Sequence, residues 1–216
     1  MRTALATLTI LVLIVLESPA ALGRSASAQA TSHAGDAMPV SDQALVIIDI
    51  QNFYFEGGLV PLVGPVEAAA QARRLLERFR ARHLPVFHVQ HMPNTGDGGD
   101  QYRIRPEVAP LAGESVIVKH YANSFRETDL LDRLQKAGIR KLVICGMQTH
   151  MCVEAAARAA ADLGFDVTVV ADACATRALE YGGTTVPAAQ VHAAVLAALN
   201  GTYAKVVTTA AWLAAQ

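Results

Sequence analysis

Short apolar runs alternate with helical patterns along most of the chain. Ala44-Leu-Val-Ile-Ile-Asp49 reads as a first strand. Pro65 to Arg82 has helical spacing, with Pro65 suited to a first turn. Leu84 to Gln90 and Ser115-Val-Ile-Val-Lys119 predict a second and a third strand. Thr128 can cap a helix that runs through Asp129 to Ala137 and stops at Gly138. Lys141 to Cys145 predicts a fourth strand, Cys152 to Leu163 a helix ended by Gly164, and Asp166 to Ala171 a fifth strand. Pro187 to Leu199 predicts a last helix, closed by Asn200-Gly201, and Ala204 to Thr208 a short sixth strand.

Strands that are apolar on both faces and separated by helices belong to a parallel sheet covered on both sides. The pattern predicts a three-layer α/β/α sandwich around a six-stranded, doubly wound parallel sheet. Ligands of such sheets bind at the carboxyl ends of the strands, near the point where strand order reverses. That rule selects polar residues by position. Asp49 ends strand one, His88 and His91 flank the end of strand two, Lys119 ends strand three, and Met147-Gln-Thr-His-Met151 follows strand four.

The first 30 residues do not fit this domain. Arg2 precedes an apolar run from Ala4 to Leu16, and small residues follow up to Ala28-Gln29-Ala30, a pattern for signal cleavage. The run has about 13 residues, against the ~20 needed to span a bilayer. The expected organisation is a removable signal peptide over 1–30, a flexible tail over 31–43 and one α/β domain over 44–216. A periplasmic or secreted location follows, with no stable membrane contact after cleavage. Cleavage would remove two of the 18 basic and one of the 19 acidic residues, leaving a nearly neutral chain. No basic stripe suggests a nucleic-acid partner. Export changes how the three cysteines are read, because an odd number leaves at least one thiol unpaired or bridged to another molecule.

Cys152 opens a predicted helix, where backbone N–H groups favour the thiolate and lower its pKa. By composition alone it would be a buried structural cysteine; the polar loop before it favours a nucleophile. A carboxylate at the end of a buried strand, such as Asp49, can take the thiol proton or merely satisfy loop amides. Lys119 can pair with Asp49 or be an ordinary solvated lysine. The three residue types at three strand ends are more specific together than any one is alone.

These residues sit within stretches that resemble the isochorismatase-like cysteine hydrolases. The stretches are ALVIIDIQNFYFEGG, VIVKHYANSFRETDLLDRL and KLVICGMQTHMCVEAAARAAADLGFDVTVVADACAT, with a later VHAAVLAALNGTYAKVVTTAAWL. The superfamily includes nicotinamidase, N-carbamoylsarcosine amidase and streptothricin hydrolase. The resemblance implies an Asp49, Lys119, Cys152 triad that cleaves a C–N bond of a small-molecule amide or imide through a thioester. It also implies a cis peptide at Met147–Gln148, with the backbone N–H groups of Gln148 and Cys152 forming an oxyanion hole. Gln51, Phe55, His91, Tyr121, Thr149 and His150 are expected to line the substrate pocket. Phe53 and Tyr54 are read as pocket wall, core or subunit contact, and a homo-oligomer is implied. Cys145 and Cys174 are expected to be buried and inert, and His192 to serve packing or an interface.

Some relatives carry a metal site with a D-x-H after strand two. HVQHMPNTGDGGD supplies His88 and His91 but lacks the aspartate and second histidine, so neither a metal nor another cofactor is expected. Three other readings remain. Isochorismatases proper protonate a vinyl ether and need no thiol. A redox protein would use Cys145 with Cys152, though no C-x-x-C is present. A binding protein on the same scaffold would keep the fold without the chemistry.

Overall fold

The computed structural model describes residues 41–216. The expected signal peptide and nearly all of the expected tail lie outside the described residues. Strand β1 (Gln43–Ile48) is followed by α1 (Pro65–Ala81), β2 (Val86–His91) and β3 (Ser115–Lys119). Then come α2 (Leu130–Lys136), β4 (Lys141–Met147), a π-helical turn (Thr149–Val153), α3 (Glu154–Asp162) and β5 (Asp166–Ala175). A hairpin of β6 (Leu179–Tyr181) and β7 (Thr184–Val186) leads to α4 (Ala188–Leu199), β8 (Lys205–Val207) and α5 (Thr209–Ala214).

The large sheet has the order β3-β2-β1-β4-β5-β8, and every neighbouring pair is parallel. From β1 the chain winds outward through β2 to β3, and from β4 it winds the other way through β5 to β8. Right-handed crossovers in opposite directions place helices on opposite faces, giving the expected three layers. The sheet core is aliphatic. Leu45, Ile47, Ile48, Leu142, Val143 and Ile144 are all buried, each worth roughly 1.5–3 kcal/mol of transfer free energy. Ala156, Ala157 and Ala160 are the buried positions of α3, and their small side chains let that helix lie close to the sheet.

Strand order reverses between β1 and β4, so a crevice opens at their carboxyl ends. Two backbone features shape it. Asp49, just beyond β1, takes φ 49°, while its N–H still donates to Val89 O at 3.0 Å. Aspartate is among the non-glycine residues that tolerate this left-handed region. Gly146 has φ 131°, and a Cβ there would lie 2.0 Å from Ile48 O. Only glycine lets β4 run this close to β1 immediately before the cis Met147–Gln148 peptide.

Several boundaries differ from the sequence reading. Strand β5 runs to Ala175, with its pairing to β4 shifted at Ile144/Gly146, so that Cys174 lies opposite Gly146. Cys152 belongs to the π-helical turn, and α3 begins two residues later at Glu154. The β6–β7 hairpin and α5 were not among the predicted elements. Phe53, Tyr54 and Phe55 are buried in the core, so they offer no surface to a second subunit.

Candidate active site

Three strand ends bring Asp49, Lys119 and Cys152 together. Asp49 and Lys119 have no exposed surface, and Cys152 is 5% exposed. Strands are spaced about 4.8 Å apart, so Lys119 on β3 must reach across the end of β2 to a residue following β1. Its long stem makes that reach. Nζ lies 2.7 Å from Asp49 Oδ2, an ion pair, and donates to Cys152 Sγ at 3.2 Å and to Tyr121 O at 3.1 Å. His91 Nδ1 is a fourth neighbour at 3.3 Å.

Burial is the dominant influence on these groups. It raises the Asp49 pKa, against the opposing pull of Lys119. Burial, followed by the Asp49 carboxylate, pushes the Cys152 thiol up to about 12, although Lys119 acts the other way. This corrects the expectation of a depressed thiol pKa. The position before a helix is outweighed by desolvation and by a neighbouring carboxylate. Burial and the neighbouring Asp49 therefore favour the neutral thiol over the thiolate at rest. Burial, then Lys119 and His120, hold His91 down at about 4, so its neutral ring can accept from Lys119.

Cys152 opens into a cleft of about 210 Å³. Phe53, Tyr54 and Tyr102 supply aromatic walls, Leu59, Val60, Ala122 and Met151 aliphatic ones, and His91 and Gln148 polar edges. Phe53 packs against both tyrosines, with ring centroids 4.1 and 5.0 Å away. No arginine, lysine, aspartate or glutamate lines the cleft among the described residues.

Of the expected pocket residues, only His91 is in that lining. Gln51 is fully buried and acts as a clasp: its Oε1 accepts from His91 N at 2.8 Å, and its Nε2 donates to His91 O at 2.9 Å and to Tyr102 O. Phe55 lies beneath the Arg105 guanidinium, 4.4 Å from the ring centroid. Tyr121 contributes its carbonyl to Lys119 while its ring stacks on Arg126. Thr149 Oγ1 pairs with His192 Nδ1 at 2.9 Å, and His150 pairs with Thr176 Oγ1. Tyr102, Leu59, Val60 and Ala122 went unrecognised in the sequence, because they sit on connections with no periodicity to mark them, whereas Met151 belongs to the stretch after strand four already singled out.

His88 is the other departure. Residues three apart on a strand point to opposite faces. His91 faces the triad, whereas His88 Nε2 pairs with Glu114 Oε2 at 2.9 Å beneath Arg80 of α1. The H-x-x-H pair therefore cannot close on one ion. Among the described residues no three His, Cys, Asp or Glu side chains are grouped to hold a metal. A metal site of the kind some relatives carry does not fit these residues. Cys145, Cys152 and Cys174 are all free and buried, which leaves the redox reading without a bridge.

The sheet order and the crevice at its switch point define a doubly wound α/β protein of the kind that takes small ligands at its strand ends. An isochorismatase-domain family model matches residues 43–211. The chain belongs to the isochorismatase family, whose members are hydrolases. The uncharacterised isochorismatase family protein YddQ of Bacillus subtilis is 48% identical over 180 residues, covering 79% of this chain and 98% of the relative. A streptothricin hydrolase from Streptomyces noursei is 33% identical over 162 residues, covering 68% of this chain and 55% of the relative. The crystal structure of an isochorismatase from Pseudomonas putida superposes with a TM-score of 0.75 at 37% identity, covering 80% of this chain and 90% of that one.

Proposed function

We propose that the protein hydrolyses a C–N bond of a small amide or imide through a thioester on Cys152. The observation that carries the reading is the placement of Lys119 Nζ, 2.7 Å from Asp49 Oδ2 and 3.2 Å from Cys152 Sγ, below a cleft that contains the sulfur. When a carbonyl carbon meets Sγ, the thiol proton passes to Asp49 and the sulfur–carbon bond forms. Lys119 offsets the charge carried by the pair. The Gln148 and Cys152 N–H groups hold the oxyanion of the tetrahedral intermediate. Asp49 returns the proton to the leaving nitrogen, the C–N bond breaks and the amine departs. Asp49 then takes a proton from water, hydroxide attacks the thioester, and the acid leaves as the thiol is re-formed.

The streptothricin hydrolase relative supports hydrolytic chemistry on this scaffold. Among the described residues no arginine or lysine lines the cleft walls, and Lys119 beneath them is already paired with Asp49, which favours a neutral substrate over an anionic one. A panel of small amides and imides, assayed by ammonia or amine release, tests the reading. Wild type should turn over at least one of them while Cys152→Ala does not, and mass spectrometry should trap an acyl group on Cys152. An unchanged rate in Cys152→Ala would overturn it. Export and self-association are also proposed. The first rests on the pattern of residues 1–30 and is tested by sequencing the mature amino terminus. The second rests on exposed Leu59, Val63, Val66 and Tyr181 and is tested by light scattering.

A further inference from the structure

One polar group in the cleft has no use in the chemistry above. The Gln148 side chain is 5% exposed, lines the cleft, and its Oε1 is buried with no hydrogen-bond partner. Its Nε2 donates to Tyr54 Oη at 3.4 Å. Tyr54 is itself 5% exposed and lines the same cleft; having accepted from Gln148, its hydroxyl still has a proton to donate. The wall therefore presents one acceptor and one donor side by side. A buried polar atom without a partner is costly, and in a cleft walled mostly by aromatic and aliphatic side chains the substrate is the natural partner.

A donor and an acceptor this close match a cis-amide edge, in which N–H and C=O point the same way. Primary amides, lactams and cyclic imides have that edge. An open-chain secondary amide in its trans form points the two groups apart and cannot satisfy both. The space, equal to about seven waters at liquid density, suits a single small ring. We infer that Gln148 and Tyr54 are specificity-determining residues that recognise the cis-amide edge of a small, neutral, ring-sized amide, lactam or imide. The inference rests on reading the cleft as the substrate site.

The experiment measures binding rather than turnover. Full-length Cys152→Ala protein is titrated calorimetrically with succinimide and with N-methylsuccinimide, which lacks the N–H. Succinimide should bind at least about thirtyfold more tightly, the effect of leaving a buried group unpaired. Adding Gln148→Leu should reduce that ratio below about threefold, mainly by weakening succinimide. Tyr54→Phe, which keeps the ring, should weaken both imides, since both keep the carbonyl; it serves as the second test should Gln148→Leu fail to fold. Equal binding of the two imides would overturn the inference. So would a ratio unchanged by Gln148→Leu, unchanged affinities in Tyr54→Phe, or no binding of succinimide below roughly 10 mM. A protein that shows the expected selectivity but releases no amine from any amide would instead refute the hydrolytic reading alone.

Discussion

Strand β2 places one histidine in each of two buried polar clusters, and the two clusters are built on opposite principles. On the α1 side, Glu114 is fully satisfied. Arg80 Nε and Nη2 donate to it at 2.7 and 2.8 Å, Leu111 N at 2.8 Å, and His88 meets it at 2.9 Å. Burial alone would raise the Glu114 pKa, but the bonds from Arg80, Leu111 and His88 bring it down to about 2. On the other face Asp49 has the 2.7 Å ion pair with Lys119 and contacts from the Cys152 thiol and the His91 backbone, yet these do not outweigh its complete burial. Its pKa is raised, and so is that of the neighbouring thiol. A carboxylate whose acceptor sites are filled holds structure together. One whose burial outweighs its bonds is better suited to take up a proton.

The comparison breaks most sharply at Cys152. Cys152→Ser should keep the fold and lower kcat/KM by roughly four orders of magnitude or more, while Glu114→Gln leaves turnover near wild type. Steady-state kinetics on one responsive amide checks both. Comparable losses would show that the clusters are not functionally distinct.

Removing a cation comes next. Lys119→Met leaves the Asp49 carboxylate buried and uncompensated, which should cost about 3–5 kcal/mol at neutral pH along with most of the activity. Asp49→Asn in the same chain should recover much of the stability and none of the activity. Urea melts of the single and double variants give the coupling, and a double variant no more stable than Lys119→Met would show that the pair is not coupled as described.

Acid separates the clusters more gently. Glu114 has a folded pKa of about 2 against 4.5 for a free glutamate, so its contribution is complete above 4.5 and is lost as pH falls through about 2. His91 is held at about 4 against 6.5, so the unfolded chain takes up that proton first and stability falls as pH drops from 6.5 towards 4. Melting temperature against pH should show both stages, with His88, also held below 6.5 by burial, adding to the upper one, and Glu114→Gln should flatten the lower one.

The smallest expected effect is on thiol reactivity. With the thiol raised to about 12, alkylation of Cys152 by iodoacetamide should still be climbing at pH 10, and the acid limb of turnover should lie above an ordinary aspartate's 3.8. An alkylation plateau near neutrality would restore the low-pKa thiol expected from the sequence.

That expectation shows where the sequence stops being informative. Runs such as Leu-Val-Ile-Ile and Leu-Val-Ile-Cys identify central strands because burial on both faces leaves no alternation to misread. That Asp49, Lys119 and Cys152 meet at one edge was legible from residue type at strand ends, since the position of a parallel strand's carboxyl end follows from topology. The acidity of Cys152 was not, because the neighbour that raises it is 103 positions away and acts only once both are dry. Part of the pocket wall was missed for a related reason: Val60, Tyr102 and Ala122 come from connections whose paths are fixed by tertiary contacts. His88 was misplaced although the signal was present, since strand period alone separates it from His91. Two further signals were also readable. Gly182-Gly183 between Leu-Glu-Tyr and Thr-Thr-Val marks a tight hairpin, and Thr208 caps α5 by accepting from Ala211 N at 3.2 Å.

The Gln51 clasp bears on how this protein could be re-engineered. Its single side-chain amide pins the end of β2 and the carbonyl of Tyr102, so the catalytic floor and one wall share an anchor. A variant library aimed at new substrates should hold Gln51 constant and diversify Leu59, Val60, Ala122 and Met151. Those four line the opening without hydrogen-bonding through their side chains to any triad member. Randomising Gln51 along with them would scramble the reference frame against which every new wall is judged, and most such clones would be lost before selection could act.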